Sequence, residues 1–193
     1  MWLRFLVFVL CGFTFVAAKT SSSTPQKRRF LLRITETNVS MRPTAGPNTV
    51  LNCLVVAQDG RTHLELRRQE FFNGRATLAT YEGLLNAREL DALRHLLDAA
   101  TVRSLPSFFE PTIPMAVDSF HVVTGKVSRE GSLQQIGYFQ WQGQGPKNAA
   151  SAQHNWSQSA AAMKPLVTWF RSLKAMYPWK RVSNAKSGVC GES

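Results

Sequence analysis

The chain of 193 residues lacks the short motifs that mark the commonest enzyme classes. It has no G-x-S-x-G elbow, no H-E-x-x-H, no phosphate-binding glycine loop and no C-x-x-C. The histidines are scattered, and none has a second kind of ligand at metal-binding spacing; they are His63, His95, His121 and His154. We therefore predict no metal and no cofactor, and the commonest enzyme classes are disfavoured as functions.

Acidic residues are also scarce, because 12 Asp and Glu stand against 23 Lys and Arg, which gives a formal net charge of +11. An excess of this size favours a polyanion as the binding partner. A high net charge also keeps a protein soluble, so the charge alone does not require such a partner. The basic residues are spread along the chain, with clusters at 27–29 and at Arg67-Arg68. Nucleic-acid-binding proteins carry a denser basic face or a known motif, so the sequence argues against nucleic acid.

Long apolar runs are missing except at the start. One charge, Arg4, precedes an apolar run that closes on small residues at 17–18. This pattern predicts a signal peptide over residues 1–18 and a secreted or periplasmic protein. The alternative is a lipid anchor at Cys11, which would need a small residue in place of Leu10. No later run reaches the roughly 20 apolar residues of a membrane-spanning helix, so we predict no transmembrane segment in the mature chain.

The chain has 3 cysteines, and Cys11 would leave with the signal peptide. Cys53 and Cys190 remain, and two thiols in an oxidising compartment predict one disulfide. Such a bond would close a long loop and stabilise the fold by roughly 4–5 kcal/mol. The alternative is a buried free thiol at Cys53 with Cys190 loose in the tail.

Composition divides the rest of the chain into three parts. Residues 19–29 are rich in Ser, Thr and charge and are predicted to be a flexible basic leader. Residues 30–182 are long enough for a single domain with its own core, and residues 183–193 are predicted to be a C-terminal tail.

Turn signals and apolar periodicity predict a meander of strands over 50–57, 62–71 and 75–82 and a hairpin of strands over 118–127 and 133–141; residues 30–39 could form a further, first strand. Asn86 and Glu89 predict a capped helix that ends near 98–100. A closing helix is expected from about Ser159 to Tyr177 after a polar, mobile segment at 143–153. The order predicts an α+β fold, an antiparallel sheet of about five strands (a meander plus a hairpin) with two helices on one face.

Acid and base groups occur in two places. Asp118 and His121 precede or begin a strand, but side chains alternate along a strand, so the two would point to opposite faces. A catalytic unit built on His121 would need partners from elsewhere, and His63 and Glu82 are the candidates. The alternative is an ordinary strand entry with solvated polar groups.

Rings and amides alternate over 138–144, and this combination is used in sugar recognition. On a strand, Gln140 and Gln142 would share one face and could bind a ligand there. The alternative is that these glutamines only face water. Further candidates for a binding surface are basic or aromatic and exposed by pattern; they are Arg67, Arg68, Trp179, Lys180 and Arg181. Trp179 can either anchor a partner or pack over the end of the closing helix.

Two functions fit these observations. The first is an exported, non-enzymatic domain that binds a macromolecule, with an anionic or glycan polymer of the cell envelope as the candidate partner. The alternative is a small secreted hydrolase whose acid/base pair is assembled from distant segments.

Overall fold

The computed structural model describes residues 30–42, 46–70, 76–109, 117–143 and 150–182, together with residue 190. Within these ranges the strands are β1 (Phe30–Arg42), β2 (Gly46–Ala57), β3 (Arg61–Glu70), β4 (Thr77–Leu84), β5 (Val117–Arg129), β6 (Ser132–Gly143) and β7 (Lys180–Val182). The helices are α1 (Ala87–Asp98), α2 (Ala100–Arg103) and α3 (Ala150–Met176). The predicted α+β class is confirmed, but the described residues form three helices where two were expected.

The sheet has seven antiparallel strands in the order β6-β5-β1-β2-β3-β4-β7. The expectation of about five strands was wrong, because β1 and β7 join the meander and the hairpin. β1 lies between the two units and pairs with both β2 and β5. β7 has three residues and no apolar alternation, so only its pairing with β4 makes it a strand.

Two tight turns among the described residues use glycine at the positions that the sequence signals indicated. Gly60, between β2 and β3, has φ 84°, and Gly131, between β5 and β6, has φ 74°. A side chain is strained in this left-handed region, so glycine suits both turns. Gly60 also accepts a backbone hydrogen bond from Leu85, which ties the turn to the start of α1.

The helices share one core on one face of the sheet, which we call the helix face. The capping box at α1 is present, since Asn86 accepts from the Glu89 amide and Glu89 accepts from the Asn86 amide. The buried residues that meet on this face come from both units of the sheet and from all three helices; they include Leu32, Ile34, Leu54, Leu64, Leu93, Leu97, Val102, Ile136, Met163, Leu166 and Phe170.

α3 is 27 residues long and begins at Ala150, so the predicted start near Ser159 was wrong and residues 150–153 are helical. Its first turns have little apolar periodicity, but Trp156 packs against the aromatic residues of β6. Pro165 lies inside the helix and cannot donate to the carbonyl of Ala161. Both residues are exposed, so that carbonyl is on the solvent side.

A second, smaller cluster lies on the opposite face of the sheet, which we call the far face. Phe108, Val122 and Phe139 are buried there, and Trp141 and Trp156 pack against them. No helix among the described residues is long and apolar enough to cross a membrane.

Cys53 and Cys190 are joined by a disulfide, as predicted. Cys53 is fully buried in β2, and the guanidinium of Arg33 donates to the Cys190 carbonyl. The bond links positions 137 residues apart and is compatible with an oxidising compartment outside the cytoplasm.

Replacing Cys190 with Ser is expected to lower the free energy of unfolding by about 2–5 kcal/mol, because the unfolded chain regains the freedom of a very long loop. Urea unfolding of both proteins, with and without a reductant, measures the change. Reductant should weaken the unmodified protein to the level of the variant and leave Cys190→Ser unchanged. Equal stability of the two proteins in the absence of reductant would contradict the prediction.

Candidate functional site

The ends of β1, β2, β5 and β6 form a pocket of about 580 Å³, and the polar strand residues that line it lie on the helix face by register. We call it the amide pocket after its polar lining, which is Asn38, Ser40, Asn48, Ser119, His121, Gln140, Gln142 and Ser157. Apart from Ser157 of α3, these residues come from β1, β2, β5 and β6. The remaining lining is apolar and consists of Val39, Val50, Phe120, Phe139 and Trp141.

Strand register explains why these polar groups meet. Gln140 is opposite His121, His121 is opposite Asn38, and Asn38 is opposite Val50. Residues directly opposite each other in a sheet present their side chains on the same face. A parallel line of neighbours one step further along consists of Gln142, Ser119, Ser40 and Asn48. The pocket is therefore built from two adjacent cross-strand rows.

The alternation along β6 gives the pocket an aromatic backing. Gln140 and Gln142 are exposed, whereas Phe139 is buried and Trp141 is half-buried. The ring centroid of Trp156 lies 5.4 Å from that of Phe139 and 5.7 Å from that of Trp141, and both pairs are edge-to-face. This packing holds the edge strand β6 from behind, so its amides project from a fixed backbone.

A buried charge borders the pocket. Glu36, in β1, is only 3% exposed, and its Oε1 accepts from Nε and Nη2 of Arg171 at 2.9 and 2.5 Å. Nε2 of His121 lies 3.2 Å from the same oxygen, and the Asn52 amide donates to Oε2 at 3.5 Å. A buried carboxylate needs such partners, and here they come from α3, β5 and β2.

The protonation of Glu36 follows from these contacts. Burial raises the pKa of Glu36, but the hydrogen bonds from His121 and Arg171 and the charges of Arg171 and Lys174 outweigh burial. The pKa of Glu36 falls from 4.5 to about 2 as a result. The side chain is therefore a carboxylate at neutral pH, and Nε2 of His121 carries the hydrogen in their contact.

His121 joins the buried charge to the pocket. Its ring lines the amide pocket while Nε2 contacts Glu36. The ring also meets Tyr138 edge-on, with 5.6 Å between centroids. Burial raises the pKa of Tyr138, and the opposing effect of Arg171 is smaller, so the phenol stays protonated. The carboxylate–imidazole pair has the arrangement that orients a histidine as an acid or base.

The other acid/base candidates lie elsewhere. His63 and Glu82 contact each other, with 2.6 Å between Nδ1 and Oε1, and Nε2 of His63 is 3.0 Å from Glu65. By register, these residues lie on the far face, so the structure does not bring them to His121. Asp118 lies at a bulge between β5 and β6, and its side chain is outside the described part of the structure.

Some of the predicted binding-surface residues lie at or near the amide pocket, and others lie elsewhere in the structure. Gln140 and Gln142 line the amide pocket, and Arg68 lies on the same face beside Val50. Arg67 is exposed on the far face. Lys180 and Arg181 are exposed in β7. Trp179 packs over the end of α3, where its indole donates to the Leu173 carbonyl at 3.3 Å and its ring lies 4.9 Å from that of Tyr177.

Several residues of the site were missed by sequence reasoning, namely Glu36, Asn38, Ser40, Asn48 and Arg171. Glu36 did carry a signal, because it follows Leu32 and Ile34 at the spacing that faces the core. A carboxylate at such a position requires a charged partner. No comparable pattern pointed to Arg171, because the spacing of the apolar residues along α3 predicts only which face of the helix packs on the core.

No family model matches the sequence, and no curated protein is similar to it. Among the described residues, no group of three or more His, Cys, Asp and Glu is placed to hold a metal ion. The function must therefore be argued from the chemistry of the pocket.

The Glu36 cluster predicts a specific loss of stability in acid. Because the pKa of Glu36 is lowered in the folded state, its contribution is complete above about pH 4.5 and is lost as the pH falls towards 2. The shift corresponds to about 3 kcal/mol. The stability difference between the unmodified protein and Glu36→Gln should shrink by this amount between pH 7 and pH 2, as measured by urea unfolding.

The matched control is Glu130→Gln, which removes an exposed carboxylate in the turn between β5 and β6. Its stability relative to the unmodified protein should change little over the same pH range. A difference for Glu36→Gln that stays constant from pH 7 to pH 2 would rule out the lowered pKa.

Proposed function

We propose that this protein is an exported glycan-binding domain and that the amide pocket is its binding site. The observation that carries the proposal is the composition of the lining, in which four carboxamides and three hydroxyls converge; the residues are Asn38, Asn48, Gln140, Gln142, Ser40, Ser119 and Ser157. Carboxamides offer donors and acceptors in one plane, which suits the neighbouring hydroxyls of a sugar ring.

The hydrogen-bonding state of the pocket supports this assignment. Oδ1 of Asn48 is buried and has no hydrogen-bond partner among the described residues. Buried acceptors are normally paired, so this oxygen has unused hydrogen-bonding capacity, which a ligand donor reaches only if the side chains that cover it move. Ser119 donates to Gln142 at 3.2 Å, which fixes one of the glutamine amides in advance.

Three features support export. The N-terminal apolar run has the pattern of a signal peptide. The Cys53–Cys190 disulfide suits an oxidising compartment, and the basic charge of the chain suits the anionic polymers of a cell envelope. An exported domain with a polar pocket and no catalytic motif is most simply a binding module.

Calorimetric titration with hexasaccharides tests the function directly. The probes are cellohexaose, chitohexaose, hexagalacturonate and a mannuronate hexamer, each titrated into the full mature chain. Saturable binding of at least one of them at a ratio of one per protein is the expected result. Failure of the whole series to bind contradicts a glycan site in this pocket.

Gln140→Ala should weaken binding of the responding hexasaccharide by about 3- to 10-fold, because one side chain with one or two hydrogen bonds is lost from the site. The matched control is Gln135→Ala. Gln135 is exposed on the same strand, but alternation places it on the far face. The two variants should have equal melting temperatures and differ in affinity, and equal affinities would remove Gln140 from the site.

A second candidate function is supported by the contact between Glu36 and His121. A histidine oriented by a buried carboxylate can take a proton from water as the water attacks an ester carbon. The acyl C–O bond then breaks, the proton passes to the leaving alcohol, and a carboxylic acid is released. In this case the amide pocket would hold an O-acylated glycan.

Acetate release from acetylated xylan oligosaccharides tests this second function. His121→Gln is expected to lower the rate by about 100-fold or more, the usual contribution of a general base. His63→Gln, which changes a histidine on the far face, should keep the rate. If the unmodified protein releases no acetate, or if His121→Gln retains full activity, the protein is not a hydrolase of this kind.

A further inference from the structure

The row of residues that crosses the amide pocket continues beyond it. From Gln140 it passes through His121, Asn38 and Val50, and the next position, directly opposite Val50 on β3, is Arg68. Adjacent strands lie about 4.8 Å apart, so the four steps from Gln140 to Arg68 cover about 19 Å. This line runs across the strands on the helix face.

The two ends of the row differ in charge. The β6 end is built from neutral amides, whereas the β3 end carries the permanent charge of an exposed arginine. No carboxylate among the described residues forms an ion pair with Arg68. Val50 lies between the two ends, is half-buried and adds an apolar contact surface to the row. A ligand that follows the row would meet hydrogen-bonding groups first and a cation last.

We propose that the amide pocket and Arg68 form one groove for a linear acidic glycan, whose sugar hydroxyls occupy the pocket and whose carboxylate binds Arg68. The inference rests on the proposed glycan-binding function and adds the class of ligand and its path. The length of the row suits a chain of several sugar units. A planar guanidinium pairs with a carboxylate through two parallel hydrogen bonds, which suits a uronic acid.

The charge density of the groove favours an acidic glycan over a single-stranded nucleic acid. A nucleic acid strand carries a charge on every nucleotide, so a segment of this length would present several phosphates and no neutral portion. Arg68 is the one arginine of the row, and its other members are Gln140, His121, Asn38 and Val50. A glycan with a neutral portion and a carboxylate matches this distribution.

The test compares a hexasaccharide of alternating glucuronate and N-acetylglucosamine units with its carboxyl-reduced, uncharged counterpart in calorimetric titrations at two salt concentrations. The unmodified protein should bind the acidic hexamer at least 10-fold more tightly at low salt, with a smaller difference at high salt. Arg68→Gln should weaken binding of the acidic hexamer by about 5- to 10-fold and leave binding of the reduced hexamer unchanged.

Arg67→Gln is the matched control. Arg67 is the neighbouring residue, is also exposed and carries the same charge, but it lies on the far face. It should therefore keep the affinity for the acidic hexamer. If Arg67→Gln and Arg68→Gln have the same effect, only the overall charge matters and the proposed path is wrong.

The remaining outcomes separate this inference from the function on which it rests. Loss of binding in Gln140→Ala with no effect of Arg68→Gln would overturn the acidic path and keep the glycan pocket. Equal binding of the acidic and reduced hexamers would also overturn the acidic path and keep the glycan pocket. Tighter, Arg68-dependent binding of a thymidine decamer would overturn the choice of a glycan. No effect of either substitution on a bound hexamer would overturn both proposals.

Discussion

The buried carboxylate of Glu36 is the constraint on which both the core and the amide pocket depend. A charge in the middle of the central strand is costly unless an opposite charge reaches it, and Arg171 of α3 meets that need. The ion pair fixes the position of α3 along β1, because sliding the helix by one turn would leave the carboxylate unpaired. Beyond Glu36 on the same face of β1, Asn38 and Ser40 are exposed and line the pocket.

The pleat of the sheet separates two kinds of chemistry that are mixed in the sequence. On β6, Phe139 and Trp141 pack on the far face, while Gln140 and Gln142 lie in the pocket. The same alternation separates Arg67 from Arg68. Aromatic packing on one face therefore stiffens the strands that present amides on the other. Trp156 of α3 takes part in this packing, so the helix also helps to hold the edge strand.

Local signals predicted the parts of the fold that local physics determines. The turns at Gly60 and Gly131 and the capping box at Asn86 are each decided within a few residues. β7 and the start of α3 depend instead on distant partners, β4 and the aromatic residues of β6, so the sequence could not place them. Local patterns identified His121, Gln140 and Gln142 as candidates. Glu36 was missed as the partner of His121 because it lies 85 residues away, although its spacing in β1 placed it towards the core.

The two histidine–carboxylate clusters show why position in the sheet matters more than residue type. Both ring nitrogens of His63 contact carboxylates, Nδ1 with Glu82 and Nε2 with Glu65, so this imidazole is committed to linking β3 and β4. In the described structure, His121 has a carboxylate contact through Nε2, and its ring borders a pocket of ligand size. The same pair of chemical groups therefore acts as a structural link on the far face. On the helix face it can meet a ligand, because Glu36 holds the ring at the end of the covered core, where the pocket begins.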